Sequence, residues 1–140
     1  YKDSFNKEWP VEVRPIDPVE LMNPEPKEPQ NYIWFKARSS LPDNVSLHQC
    51  VLAYMSDMTL LDTCTNPHGV NFMNPNLHSA SLDHAMWFHR PFKADEWLLY
   101  HQDSPSASGA RGFNRGSIFD LDGNLIASVA QEGLIRFTKN

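Results

Sequence analysis

Val45-Ser46-Leu47-His48-Gln49-Cys50-Val51-Leu52-Ala53-Tyr54-Met55-Ser56-Asp57-Met58-Thr59-Leu60-Leu61 is the stretch from which the rest of the chain can be placed. Leu47, Val51, Tyr54, Met58 and Leu61 recur at spacings of four and three, the period of one buried helical stripe. A second stripe, Cys50, Ala53, Asp57, Leu60 and Cys64, lies beside it. Pro42 precedes, and Asp43 or Asn44 supplies an N-cap oxygen. The spacing predicts one long helix from about Val45 to Leu61, with an apolar surface wide enough to be wrapped by a sheet.

Outward from that helix the composition turns to strands. Tyr32 to Arg38 is aromatic and β-branched and ends in the turn Ser39-Ser40-Leu41-Pro42-Asp43. Beyond an Asn-, Pro-, Gly- and His-rich loop at 65–79, strands are expected at Ser81 to Arg90, Glu96 to Gln102, Ala110 to Asp120 and Leu125 to Phe137. Asp122-Gly123 between the last two is a strong hairpin signal. Strand, long helix, then four antiparallel strands is an α+β arrangement. It is the hotdog pattern, an antiparallel sheet of about five to six strands around one long α-helix, and is expected over 31–140. Residues 1–30 read as an extended connector, because seven of the eleven prolines fall within the first 42 residues. Within the connector, Val11-Glu12-Val13-Arg14 alternates as a short edge strand would.

At 140 residues, 41% hydrophobic and 21% charged, the chain has the composition of a globular domain. A formal net charge of −5 gives no basic footprint for nucleic acid, and no run of about 18 apolar residues would cross a membrane. Tyr1-Lys2-Asp3 does not begin a secretory signal, and the absence of an initiator Met fits a piece of something longer. Cys50 and Cys64 are too few and too close along one helix for a bridge; free, buried thiols in a reducing compartment are expected. Thr138-Lys139-Asn140 is not a peroxisomal address, which leaves the cytoplasm as the expected location.

Three polar residues stand out. Asp57 lies on an apolar stripe, where it either reaches water from the edge or is held partly desolvated as a general base. Gln131 is polar among Leu125, Ala127, Val129, Gly133, Ile135 and Phe137, which share its face by period two. It is either a structural amide bonding a loop or one that orients a water or a carbonyl. Ser81 opens its strand and is not in a Gly-x-Ser-x-Gly elbow. The histidines at 48, 68, 78, 84, 89 and 101 form no His-Glu-x-x-His pattern, and the cysteines have no zinc spacing; structural or surface roles are expected for them. Ser104 to Gly112 reads as a kinked, bulged strand rather than a phosphate loop. Arg111, Arg115 and Arg136 either meet phosphates of a nucleotide-bearing ligand or line solvated strand faces.

Ser81-Leu82-Asp83-His84-Ala85-Met86-Trp87-Phe88-His89-Arg90-Pro91-Phe92 resembles the signature of the type II acyl-CoA thioesterases. Glu96-Trp97-Leu98-Leu99-Tyr100, Ser106 to Gly112, Ala127 to Arg136, Leu52 to Asp57 and the connector Val11 to Pro15 are similar to other segments of that family. The resemblance spans essentially the whole chain and implies the C-terminal hotdog of a double-hotdog protein. It also implies Asp57, Ser81 and Gln131 as the hydrolytic set, with acyl-CoA as substrate and neither metal nor organic cofactor. A covalent acyl-Ser81 intermediate is the lesser chemistry, for want of a placed histidine base. The expected partners are the N-terminal hotdog of the same full-length chain and, through the exposed surface, further copies in a homo-oligomer. The rival reading is an acyl-CoA-binding or assembly half-domain with little activity in isolation.

Overall fold

Alternation of apolar and polar side chains sets which strand faces are buried, and the strands close on one another around the helix. The structure, a computed structural model, describes residues 9–138. Residues 1–8 and 139–140, with the expectations drawn from the two ends, lie outside them. Its strands are β1 (Val11–Pro15), β2 (Gln30–Ala37), β3 (Leu77–Ser81), β4 (Ala85–Phe88), β5 (Leu98–Ser108), β6 (Arg111–Phe119) and β7 (Leu125–Phe137). One antiparallel sheet runs β1-β2-β5-β6-β7, and β7 pairs on its far side with β3 at one end and β4 at the other. The hotdog architecture expected from the sequence is present, and the Val11 segment is indeed an edge strand.

α1 (Val45–Asp57) crosses the concave face, capped by Asn44, whose side chain accepts from the Leu47 N–H. The helix stops at Asp57 rather than running on to Leu61. Met58 N–H bonds back three residues to Met55, the tightened geometry of a helix end, and a 3-10 helix follows over Leu61–His68. This occupies the first part of the stretch expected to be loop. The buried face also differs from the apolar stripes: it is His48, Leu52, Met55 and Ser56, while Tyr54, Cys50 and Asp57 are exposed. Two polar residues inside that face disguised it. His48 satisfies both ring nitrogens, Nδ1 accepting from Ala94 N–H and Nε2 donating to the Pro42 carbonyl, so burying it costs little. Of the two free thiols, Cys64 is buried as expected, and burial raises its pKa; Cys50 is not buried.

Inward positions alternate as Leu98, Tyr100, Gln102 and Ser104 on β5 and Gly112, Asn114, Gly116 and Ile118 on β6. On β7 they are Ala127, Val129, Gln131 and Gly133, as the period-two reading expects, with Ile126 buried out of phase at a register shift opposite Ile118/Phe119. The core gathers Ile33, Phe35, Leu52, Met55, Leu60, Leu98, Tyr100, Ile118, Ile126 and Val129. Each such side chain contributes on the order of 1.5–3 kcal/mol. A second register shift at Asp103/Ser106 is the kink foreseen before Gly112. Asp120 closes the β6–β7 hairpin by accepting from the N–H groups of Asp122 and Asn124, with Gly123 at φ 83°.

The strand expected from Ser81 to Arg90 is broken. Pairing with β7 stops at Ser81 and resumes at Ala85. In the gap, the N–H groups of Leu82 and Asp83 both reach the Glu132 carbonyl, and the Asp83 carboxylate accepts from Glu132 N–H at 2.7 Å. Asp83 thus replaces a ladder bond with its own side chain, and the extra backbone length turns His84 toward the helix.

Candidate active site

Three elements meet where α1 ends beneath the β3–β4 break, and the candidate residues come from all three. Asp57 is the last residue of α1, Ser81 the last of β3, and Gln131 lies midway along β7. Gln131 is fully buried, and its Nε2 donates to Ser81 Oγ at 2.6 Å. Ser81 Oγ–H in turn points at Asp57 Oδ1, at a longer 3.5 Å. Residues up to 74 positions apart in sequence therefore form one line of side chains.

Asp57 is placed at a cost. A carboxylate at a helix C-terminus faces the negative end of the backbone dipole, an unfavourable arrangement of roughly 0.3–1 kcal/mol, and α1 carries no basic residue in its last turn to offset it. Its side chain is 55% exposed, so the described residues do not supply the desolvation that a half-buried base would require. Its charge is felt below: with burial as the larger cause, Asp57 raises the pKa of the Tyr100 phenol, which donates to the Ser56 carbonyl.

His84 joins the line and was not singled out by sequence. Its Nδ1 lies 2.5 Å from Gln131 Oε1 and its Nε2 2.9 Å from the buried Ser56 hydroxyl. Nδ1 is also 3.8 Å from Asp57 Oδ1. Spacing could not find it, because only the break in the strand turns position 84 inward. The ring nitrogens are engaged by Gln131 and the buried Ser56 rather than by Ser81, so His84 is not paired with Ser81 as a base. Tyr54, Asp57, Met58, Ser81, Leu82 and His84 line an open depression on the surface. A more enclosed cavity lies elsewhere, between residues 15–27 and the 3-10 helix, lined by Asp62 among others and by none of the candidate residues.

Behind Gln131 the sheet carries two further inward amides, Gln102 and Asn114, both fully buried. Gln102 accepts from Thr63 and donates to Thr59, tying the chain after α1 to β5. Arg115 is held bidentately by Asp103, and Arg111 faces Glu132, so these two arginines lie in solvated ion pairs on the strand surface. Among the described residues no group of three or more His, Cys, Asp or Glu is placed to hold a metal ion. No helix among them is long and apolar enough to cross a membrane.

The acyl-CoA thioesterase family model matches residues 1–134. Acyl-CoA thioesterase 2 of Haemophilus influenzae is 39% identical over 137 residues, covering 98% of this chain and 48% of its own length. Human acyl-coenzyme A thioesterase 8 is 42% identical over 135 residues, covering 93% of this chain and 40% of its own. The chain thus spans about half the length of the curated relatives it matches. Among solved structures, an acyl-CoA thioesterase II from Mycobacterium marinum superposes with a TM-score of 0.78 at 48% identity, over 93% of this chain and 50% of that one. A hot dog protein from Alicyclobacillus acidocaldarius, at 15% identity and a TM-score of 0.71, shares the fold over 93% of this chain and 47% of its own.

Proposed function

Since the chain belongs to the acyl-CoA thioesterase family, we propose that it is the C-terminal hotdog half of an enzyme that hydrolyses fatty acyl-CoA to free fatty acid and CoA. The observation that carries this reading is the continuous hydrogen-bonded line Gln131–Ser81–Asp57 opening on a surface depression. Ser81 accepts from Gln131 and donates to Asp57, leaving a hydroxyl lone pair for a water hydrogen. Asp57 takes the other water proton as the oxygen attacks the thioester carbonyl. The tetrahedral intermediate then collapses by breaking the C–S bond, and Asp57 returns its proton to the departing sulfur. Holding water and carboxylate in one geometry supplies much of the acceleration. The chemistry needs neither metal nor organic cofactor.

The exposure of Asp57 and the openness of the depression favour a second component. An N-terminal hotdog of the same full-length chain, docked over this surface, would exclude water and strengthen every charge–dipole contact there. The same exposure supports the rival reading, a binding or assembly half with little turnover in isolation.

Hydrolysis of a series of acyl-CoA lengths by the intact protein and by this fragment, each with Asp57→Asn, tests both. Loss of turnover by about 100-fold or more in the intact variant, with acyl-CoA binding retained, supports the base role. Unchanged turnover rules it out. A fragment that binds but does not hydrolyse, beside an active intact protein, supports the half-domain reading.

A further inference from the structure

The Gln131 amide presents a donor at one end and an acceptor at the other, on nearly identical shapes, and its orientation decides where the Ser81 proton points. With nitrogen toward Ser81, as placed, the Ser81 hydroxyl accepts from Gln131 and its hydrogen is free for Asp57. With oxygen toward Ser81, the hydroxyl would donate to Gln131, and Asp57 would lose its donor. The only other side chain bonded to Gln131 is His84, through Nδ1 and Gln131 Oε1 among the described residues.

We propose that His84 is a positioning residue for the hydrolytic water, acting through Gln131: a proton on Nδ1 locks the amide nitrogen toward Ser81 and so the Ser81 proton toward Asp57. One further contact favours that tautomer. The Asp57 carboxylate, 3.8 Å from Nδ1, favours a proton on that nitrogen electrostatically. On the other side of the ring, Nε2 has the fully buried Ser56 hydroxyl at 2.9 Å, whose one hydrogen is shared among Nε2, the Ala53 carbonyl and Met86 Sδ, so this contact is compatible with either tautomer. Ser56 is fixed from below, between the Ala53 carbonyl and Met86 Sδ. A line of polar contacts runs from the ring to the surface carboxylate, His84, Gln131, Ser81 and Asp57, with Ser56 packed against the far side of the ring. The one-residue register shift across Leu82–His84 brings position 84 level with the inward Gln131, whereas an unbroken β3 ladder would set it opposite Ala130.

The inference rests on the water-activating reading above, and its test separates the two. In the intact protein, His84→Ala is expected to lower kcat roughly 10–100-fold with KM little changed, the scale typical of residues that orient a functional group. His84→Asn, whose amide N–H can stand where Nδ1–H stood, should recover most of that loss. In a Gln131→Ala background, His84→Ala should cost nothing more, because its effect passes through Gln131. A full, additive loss there overturns the proposal, as does a loss confined to KM. Nitrogen chemical shifts of the His84 ring, recorded at alkaline pH in the intact protein, read the tautomer without reference to turnover and guard against variants that fold poorly. A proton on Nδ1 supports the proposal; a proton on Nε2 overturns it. If Asp57→Asn and Gln131→Ala leave hydrolysis untouched, the catalytic reading itself fails, whatever His84 does.

Discussion

Gln131 Nε2 and Ser81 Oγ lie 2.6 Å apart across fifty residues of sequence, with the amide wholly out of solvent. Because both ends of this amide are bonded, the pair ties β3 to β7 at the point where their ladder ends. Gln131→Leu keeps the volume but leaves His84 Nδ1 and Ser81 without their partner. Ser81 and His84 are exposed and can turn to water, so we expect a loss of about 0.5–1.5 kcal/mol in unfolding free energy, the net worth of a hydrogen bond, alongside the loss of turnover. Urea denaturation measures the first; an unchanged midpoint would show that the amide is not part of the structural frame.

The glycines of the inner face test how closely the 3-10 helix approaches the sheet. A Cβ at Gly112 would overlap Cys64 Sγ and sit 2.6 Å from Cys64 Cβ. Cys64 Cβ is fixed to the backbone and cannot swing clear, so Gly112→Ala should destabilise by roughly 1–3 kcal/mol. A Cβ at Gly133 would overlap Leu61 Cδ1, the mobile end of a long side chain. Gly133→Ala should therefore cost less than Gly112→Ala, and Leu61→Ala should relieve it. Thermal unfolding of the three variants decides the order.

How much of this was legible depended on whether the signal was periodic or conformational. The strand–helix–strand order, the hairpin at Asp122-Gly123 and the inward face holding Ala127, Val129, Gln131 and Gly133 could be read from composition and alternation. Asp57 and Gln131 could be flagged because each was polar among apolar neighbours, although Asp57 proves to be exposed. Ser81 came from resemblance alone. His84, Ser56 and His48 were illegible for one physical reason: a polar side chain whose hydrogen bonds are met inside the protein is written like a surface residue. The end of α1 was missed similarly, because apolar Met58, Leu60 and Leu61 continue the pattern after the backbone has tightened.

The outer surface carries Tyr54, Leu82 and Trp87, each more than half exposed. Leu82 flanks the depression, and Trp87 lies on β4 at the free edge of the sheet. Apolar groups this exposed beside an unpaired edge favour association. This chain should sediment as a concentration-dependent oligomer, and Leu82→Glu with Trp87→Lys should shift it toward monomer. A strictly monomeric chain at all concentrations would remove the argument for a covering partner at this surface.

Asp62 gives stability a pH dependence of defined sign. Burial raises its carboxyl from the ordinary 3.8 to about 6. The folded state therefore holds the proton more tightly than the unfolded chain, and the associated stability is full below about pH 3.8 and is lost as pH rises through about 6. A tenfold change in proton affinity is worth roughly 1.4 kcal/mol, so with allowance for the carboxyl's remaining contact with water the difference is about 2 kcal/mol. Asp62→Asn keeps the shape and removes the charge. Its unfolding free energy should match the parent near pH 4 and exceed it near pH 7.5, so that the difference between the two proteins grows across that window. Parallel curves in denaturant midpoints from pH 4 to 7.5 would mean that Asp62 ionises at no cost and that the cavity it lines is open to water.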